Sequence, residues 1–190
     1  IYTLSLHHAL PICALPSAQI IDSTVDYCLR AFDPAHGGTK RAPKFPSNIP
    51  HRLLLRHHAR TGDARALRVS TFTLERMAAG GIYDQLGGGF SRYSVDAQWL
   101  VPHFEKMLYD NAQLLELLAL AHAHRPSPLY AARAAETVGW MTRDMLAESV
   151  AGRTAFAASE DADSEGEEGK FYVWTEAEID RLLGADAASF

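Results

Sequence analysis

Apolar positions follow a helical period in several stretches of this chain, and long polar segments separate them. Ile21, Val25, Cys28 and Phe32 recur at spacings of four, three and four, which places one apolar stripe along a helix. Ser17 stands where that helix takes its N-cap, and Asp33-Pro34 ends it, because the residue before a proline avoids the α region. The segment FDPAHGGTKRAPKFP, with three prolines and two glycines, reads as a loop. Ser47 is expected to cap a second helix through Leu53, Leu54 and Leu55 to Ala59, closed by Thr61-Gly62. Asp63 caps a third, running to about Ala79 with Leu67, Leu74, Met77 and Ala78 on one side, and Gly80 stops it. So short a connector makes these two helices antiparallel.

Beyond a glycine-rich segment the helical period returns. A helix is expected from about His103 to His122, with Phe104, Leu108, Leu115 and Leu118 as its buried stripe. Ser127-Pro128 offers an N-cap and a proline at the first helical position, opening a helix through Ala134, Val138 and Met141 to about Leu146. FAASEDADSEGEEGKFYVW breaks the period; Phe171, Tyr172, Val173 and Trp174 suggest a short strand. Thr175 and Glu178 form a capping box that starts a last helix. Short turns and long loops therefore alternate. A chain that reverses at every turn sends its long loops to one end, so they share one mouth. Helical hairpins repeated in this way stack or close into a ring to bury their faces. The expected class is all-α, with antiparallel helical hairpins, long glycine-rich loops at one end and short β segments.

The densest chemistry lies in GGIYDQLGGGFSRYSVDAQWLVPHFEKMLYDNAQLL, from Gly80 to Leu115. Glycines there allow left-handed backbone or close approach to another surface. His103 suits general acid–base work near neutral pH, or alternatively only hydrogen-bonds a neighbouring loop. Glu105 and Lys106 fall in the first turn of the expected helix, where its dipole favours Glu. Asp110 and Asn111 follow beside Tyr109 and face inward if that helix lines an interior.

The acidic run Asp161, Asp163, Glu165, Glu167, Glu168 loosely follows an EF-hand loop with Gly166 sixth, but Tyr172 stands where the bidentate Glu belongs. A solvated or loop-capping turn is the better reading, with Asp161 and Asp163 as candidates at the mouth and no metal expected. Asp96 or Asp110 opposite Asp161 would make a glycosidase-type carboxylate pair, whose separation the sequence does not give.

Composition narrows the partners. A net charge of −5 argues against nucleic acid, and no apolar run approaches the roughly 20 residues that span a bilayer. Cys13 and Cys28 have neither CxxC nor zinc spacing, so a reducing compartment, the cytoplasm, is expected. The opening IYTLSLHHALPI reads as a translated sequencing adapter. Residues 1–13 are therefore set aside as a non-native head, leaving 14–190 as the domain.

GGIYDQLGGGFSRYSVDAQWLVPHFEKMLYDNAQLL, APKFPSN and DADSEGEEGKFYVWTEAEI resemble the thioredoxin domain-containing proteins related to spermatogenesis-associated protein 20, over residues 18–190. That family joins a thioredoxin-like domain to a helical toroid similar to six-hairpin glycosidases and N-acylglucosamine 2-epimerases. The resemblance implies that this chain holds the first part of an (α/α)6 toroid, without the thioredoxin-like domain. Thr39 and Lys40 depart from the phenylalanine and glycine usual after the first glycine pair. It also implies a carbohydrate as partner and epimerase-like or hydrolase-like chemistry; no cofactor is expected. His103, Glu105 and Asp110 are then the catalytic candidates. Arg92, Tyr93 and Asp96, with Asp84, would meet sugar hydroxyls beside Asp161 and Asp163, and Trp99 would stack on a sugar ring. The other function class is a non-catalytic helical module that binds a partner or client for an attached thioredoxin-like domain.

Overall fold

The structure is a computed structural model that describes residues 17–148, 152–184 and 187. The adapter-like head, residues 1–13 with Cys13, lies outside the described residues. The described helices are α1 (Ala18–Ala31), α2 (His51–Thr61), α3 (Ala64–Ala79), α4 (Leu108–His124), α5 (Pro128–Arg143) and α6 (Glu176–Leu183). Four short antiparallel pairs tie the connections together. β1 (Tyr93–Ser94) pairs with β2 (Pro102–His103), and β3 (Lys106–Met107) with β6 (Ser159–Glu160). β4 (Leu146–Glu148) pairs with β5 (Thr154–Phe156), and β7 (Asp163–Ser164) with β8 (Glu167–Glu168).

Two hairpins carry the fold. Gly62 turns α2 into α3 with a left-handed φ of 76°, and the Asp63 carboxylate caps α3 by accepting the Arg65 N–H at 2.9 Å. α4 and α5 reverse over three residues, where the Ser127 N–H donates to His122 Nδ1 at 3.2 Å. α1, α3 and α5 pack side by side in one layer, and α2 and α4 form the other. α3 lies at the centre, with Ala66, Val69, Leu74, Met77 and Ala78 buried. One core joins Leu74 and Met77 to Ile82, Tyr83, Phe90, Trp99, Leu114, Leu118 and Tyr130. A second joins Val25, Cys28, Ile49, Leu54, Ala66 and Val69, so Cys28 is a small core residue whose thiol burial pushes up. Each large apolar side chain buried there contributes about 1.5–3 kcal/mol.

α2 and α4 run in the same direction. At their starts His51 and Asp110 line one cleft, and at their ends the rings of His58 and His124 stand 5.5 Å apart. The short turns therefore share one end. The described parts of the long connections 32–50, 80–107 and 144–175 gather at the other, as the alternation of loop lengths predicts.

Two of those connections are built on the same plan. Asp33 Oδ1 accepts the N–H groups of Ala35 and His36, and Asp84 Oδ1 those of Leu86 and Gly87. Each loop closes on a pair of backbone bonds, Asp33 with Gly37 and Gly38, Asp84 with Gly88 and Gly89. A buried lysine completes each. Lys44 Nζ donates to Asp33 Oδ2 and the Gly37 carbonyl, both at 2.7 Å. Lys106 Nζ donates to Asp84 Oδ2 at 2.8 Å and the Gly88 carbonyl at 3.0 Å. The ammonium groups stand over tryptophan rings, 5.7 Å from Trp99 and 5.4 Å from Trp140. Gly38 and Gly89 press on those same rings. A Cβ there would come within 2.6 and 2.8 Å, and both φ values are left-handed, so only glycine fits. Burial alone would raise both carboxyls; the lysine ammonium and backbone N–H groups outweigh it and hold Asp33 and Asp84 below the usual range.

Several expected elements move. α4 begins at Leu108 rather than His103, because residues 102–103 and 106–107 are taken up in strand pairs and the Leu108 N–H goes to the Ala158 carbonyl. Its buried face is Asn111, Leu114, Leu118 and Ala121, not the stripe through Phe104. Asn111 holds Phe90, accepting its N–H at 2.7 Å and donating to its carbonyl at 2.9 Å. α2 begins at His51, since Pro50 forces Ile49 to stay extended; Ser47 lies in a 3-10 turn, Pro46–Asn48. Ser17 and Ser127 make no side-chain cap bond. α5 buries Tyr130, Thr137 and Trp140, leaves Val138 exposed, and hands Leu146 to β4. Residues 169–172 form a turn in which the Gly169 carbonyl accepts the Tyr172 and Val173 N–H groups, and 173–174 are irregular, so the expected strand over 171–174 does not form. The Thr175–Glu178 capping box forms as its spacing predicts.

Candidate functional site

The polar cluster at the mouth starts from the pairing of β1 with β2. That register sets Tyr93 beside His103, and their rings stack at 4.9 Å with 18° between planes. Phe45, from the loop before α2, closes the far side of Tyr93 at 4.6 Å. His103 Nδ1 lies 2.6 Å from the Glu168 carboxylate of β8, and its Nε2 is 3.8 Å from Glu105. Glu105 in turn accepts from Arg92 at 2.9 Å, and the backbones of these two residues are bonded as well. The side chain of His103 remains about a quarter open, at 24%. The ring is thus held between two carboxylates with one edge accessible. An Nδ1 proton directed at Glu168 would leave the Nε2 lone pair on the side of Glu105.

Asp110 lies in the first turn of α4 behind this cluster. Burial raises its carboxyl above the usual range and the Glu105 charge adds to that, against the pull of Arg92. The mouth therefore holds a partly open imidazole and a carboxyl whose charged form burial disfavours. Such a pair can take a proton at one point and return one at another. Tyr109, half-exposed, is the aromatic next to Asp110 that offers an open face.

Other candidates have different work. Trp99 is fully buried at φ 66°, its indole N–H donating to the His36 carbonyl at 2.9 Å, so its ring is closed to a sugar. The Asp96 carboxylate takes the N–H groups of Gln98, Leu100 and Val101 and shapes its own loop. Asp84 belongs to the lysine-locked loop, and Lys106, expected on an open helical turn, is buried beneath it. Asp161 accepts the Asp163 N–H at 3.1 Å. Asp163 lies on β7, in a hairpin whose tip is Glu165-Gly166, with no helix entering or leaving it as an EF-hand requires. Among the described residues no group of three or more His, Cys, Asp or Glu side chains stands where it could hold a metal ion. No described helix is long and apolar enough to cross a membrane.

Sequence reasoning missed three residues here: Lys44, Lys106, and Glu168 as the partner of His103. A signal for the lysines was present. FDPAHGGT and YDQLGGGF share an aromatic–Asp pair and a glycine pair at the same spacing, each followed by a lysine.

No protein-family model matches the chain. It is 40% identical over 162 residues to spermatogenesis-associated protein 20 of Mus musculus, a match covering 80% of this chain and 20% of that protein. The Homo sapiens protein of the same name is 38% identical over 179 residues, 88% of this chain and 22% of that one. An uncharacterized Caenorhabditis elegans protein is 35% identical over 182 residues, 88% and 24% of the two chains. The chain spans about a fifth to a quarter of the length of these relatives. Among solved structures, cellobiose 2-epimerase from Spirochaeta thermophila superposes with a TM-score of 0.63 at 21% identity, over 75% of this chain and 37% of that one. A sugar epimerase from a ruminal bacterium superposes with a TM-score of 0.61 at 16% identity, over 90% and 48%. The shared feature is the fold, which is six-hairpin glycosidase-like.

Proposed function

Because this chain is homologous to part of spermatogenesis-associated protein 20 and has a fold shared with sugar 2-epimerases, we propose that it forms the first part of an (α/α)6 toroid whose mouth binds a carbohydrate and acts on it by acid–base chemistry of the epimerase or hydrolase kind. The observation that carries this reading is the assembly of Tyr93, His103 and Glu168 from three strands, with Arg92 and Glu105 from the segments beside them, at the end where the long connections gather. In this reading His103 accepts a proton at Nε2 while Glu168 orients the ring. Asp110 is the proton donor, and Glu105 with Arg92 sets the charge around both. Arg92, Tyr93 and Tyr109 offer donors and an aromatic face to hydroxyls and a sugar ring. Asp161 and Asp163 lie next to β6, at the rim.

Asp110→Asn tests the reading. A carboxyl whose folded value lies above its unfolded value of 3.8 binds more protons folded than unfolded, so its contribution to stability falls as pH rises through that window. The variant is expected to melt higher than the parent at neutral pH, with the gain disappearing below about pH 3.8. Sugar-dependent activity of the intact protein should fall at the same time, by about 100-fold or more. A variant that is destabilised, or that keeps full activity, contradicts the assignment.

One observation favours the second function class. Leu86 is 90% exposed and Phe171 70%, and with Val173 and Trp174 they line an open groove of about 650 Å³. Exposed apolar surface of this kind suits a partner- or client-binding module attached to a thioredoxin-like domain. Titrating the intact protein with a sugar panel and with unfolded apolar peptides separates the two. Saturable sugar binding lost with His103 supports the first reading, and peptide binding lost with Phe171 and Trp174 supports the second.

A further inference from the structure

His103 and Glu168 meet at 2.6 Å, although no described strand pairing joins them. β2 pairs with β1 and β8 with β7, in separate sheets, so the register that sets Tyr93 beside His103 does not place Glu168. The β7–β8 hairpin has two residues in each strand, too few to hold a carboxylate in position by its own ladder. An ion pair whose Glu168 partner is half-exposed is also too weak to fix two segments of chain by itself. Another contact must seat the hairpin.

That contact lies one residue further along each strand. Phe104 follows His103, and Gly169 follows Glu168. Gly169 has a left-handed φ of 76°, and a Cβ there would come within 2.6 and 2.7 Å of two Phe104 ring carbons. The same ring stacks on Tyr172 at 5.2 Å with 11° between planes. Tyr172 belongs to the same turn, its N–H donating to the Gly169 carbonyl at 2.9 Å, so Phe104 fills the corner of the 169–172 turn. The Gly169 N–H closes the hairpin on the Ala162 carbonyl, also at 2.9 Å. Lys106 backs the arrangement, its ammonium 5.0 Å from the centre of the Tyr172 ring and bonded to Asp84. The lysine-locked loop, the Tyr172–Phe104 stack and the Glu168–His103 pair are thus one continuous set of contacts.

A left-handed φ alone asks for glycine but not for a ring pressed against it. Gly166, at the tip of the same hairpin, has a φ of 80° and nothing within 4 Å of where a Cβ would stand. The two glycines therefore separate backbone strain from contact. We propose that Phe104 and Gly169 are positioning residues, whose contact seats the β7–β8 hairpin so that Glu168 reaches Nδ1 of His103 and fixes the tautomer of the imidazole. The inference rests on the acid–base reading of His103 and adds the device that orients its ring. A methyl group at 169 would drive the hairpin off Phe104 and carry Glu168 with it. A shift of about 1 Å stretches the 2.6 Å bond to a length at which it is no longer one.

The test is the tautomer of His103 in the intact protein, read from its imidazole nitrogen chemical shifts at a pH where the ring is neutral. The parent is expected to carry the proton on Nδ1. Gly169→Ala should lose that preference and show a mixture of the Nδ1–H and Nε2–H forms. Gly166→Ala carries the same backbone strain without the contact and should keep the tautomer of the parent. Phe104→Leu removes the ring and leaves the glycine. It gives a second measure should Gly169→Ala fail to fold, and is expected to show the mixture too. In Gly169→Ala and Phe104→Leu, kcat of sugar turnover should fall about 10- to 100-fold with KM little changed, the mark of a misaligned group that does not itself hold the sugar. A parent that lacks the Nδ1–H form, or a parent-like tautomer in either folded variant, overturns the inference. An equal loss in Gly166→Ala overturns it as well, by assigning the effect to the hairpin backbone. A parent that turns over no sugar removes the carbohydrate reading, and the positioning role is then decided by the tautomer alone.

Discussion

Lys106→Ala is expected to destabilise the protein by about 3–5 kcal/mol, the cost of removing one partner of a buried ion pair. The lysine is 2% exposed and holds three things at once: the Asp84 carboxylate, the Gly88 carbonyl and the face of Trp140. Without it Asp84 keeps its backbone bonds but loses its counter-charge, and the glycine loop loses the anchor that seats Gly89 on the tryptophan. A domain of this size has about 5–15 kcal/mol in total, so the variant should approach unfolding at 37 °C. Denaturant titration of parent and variant measures the difference. The dependence on acid is a second readout. In the parent, Asp84 is held below its unfolded value of 3.8, so its contribution is present above that pH and lost as pH falls through the folded value. The variant should lack that loss. Adding Asp84→Asn should recover part of the stability, because it removes the charge left unpaired. A change below about 1 kcal/mol in Lys106→Ala would mean that the loop is held by its backbone bonds and tryptophan packing alone.

His103→Ala is expected to do the opposite: to remove any sugar-dependent activity of the intact protein, by about 100- to 10,000-fold, while moving the melting temperature little. The ring is partly open and its Glu168 partner half-exposed, so the pair contributes at most about 1 kcal/mol to folding. In the proposed reading the substitution removes a proton acceptor held by Glu168 and stacked on Tyr93. A large loss of stability with activity intact would make His103 a brace between β2 and β8. Glu168→Gln discriminates further. It keeps a hydrogen bond to the ring but removes the charge, so it should shift the pH profile of activity and leave the melting temperature near that of the parent.

Much of the helical framework was legible along the chain. The turn at Gly62-Asp63, the proline at the start of α5, and the capping box at Thr175 and Glu178 are local devices. The residues that make the bonds are neighbours in sequence. The shared mouth was legible too, because alternation of short and long connections fixes which end each loop occupies. The start of α4 was not. Phe104-Glu105-Lys106 has helical composition, but β3 pairs with β6, whose residues lie more than fifty positions later, and propensity yields to that pairing. Trp99 read as an open ring because a tryptophan near a glycine-rich loop is compatible with stacking on a ligand. Its burial depends on Gly38, on another loop, making room for it.

The sequence by itself determined the helices, their hairpins and the end at which the loops collect, since capping, proline and spacing act within a turn or two of chain. Tertiary structure alone decided which polar residues of the mouth are structural and which are open. Asp84, Asp96 and Lys106 look no different in sequence from Asp110 and His103. Asp84 and Lys106 pair with each other and Asp96 takes up the backbone N–H groups of its own loop, whereas Asp110 is left with a raised carboxyl and His103 with a partly open edge. That division rests on which partners the folded loops bring to each group and on the dielectric around it, and neither is set until the loops have closed over α3 and α4.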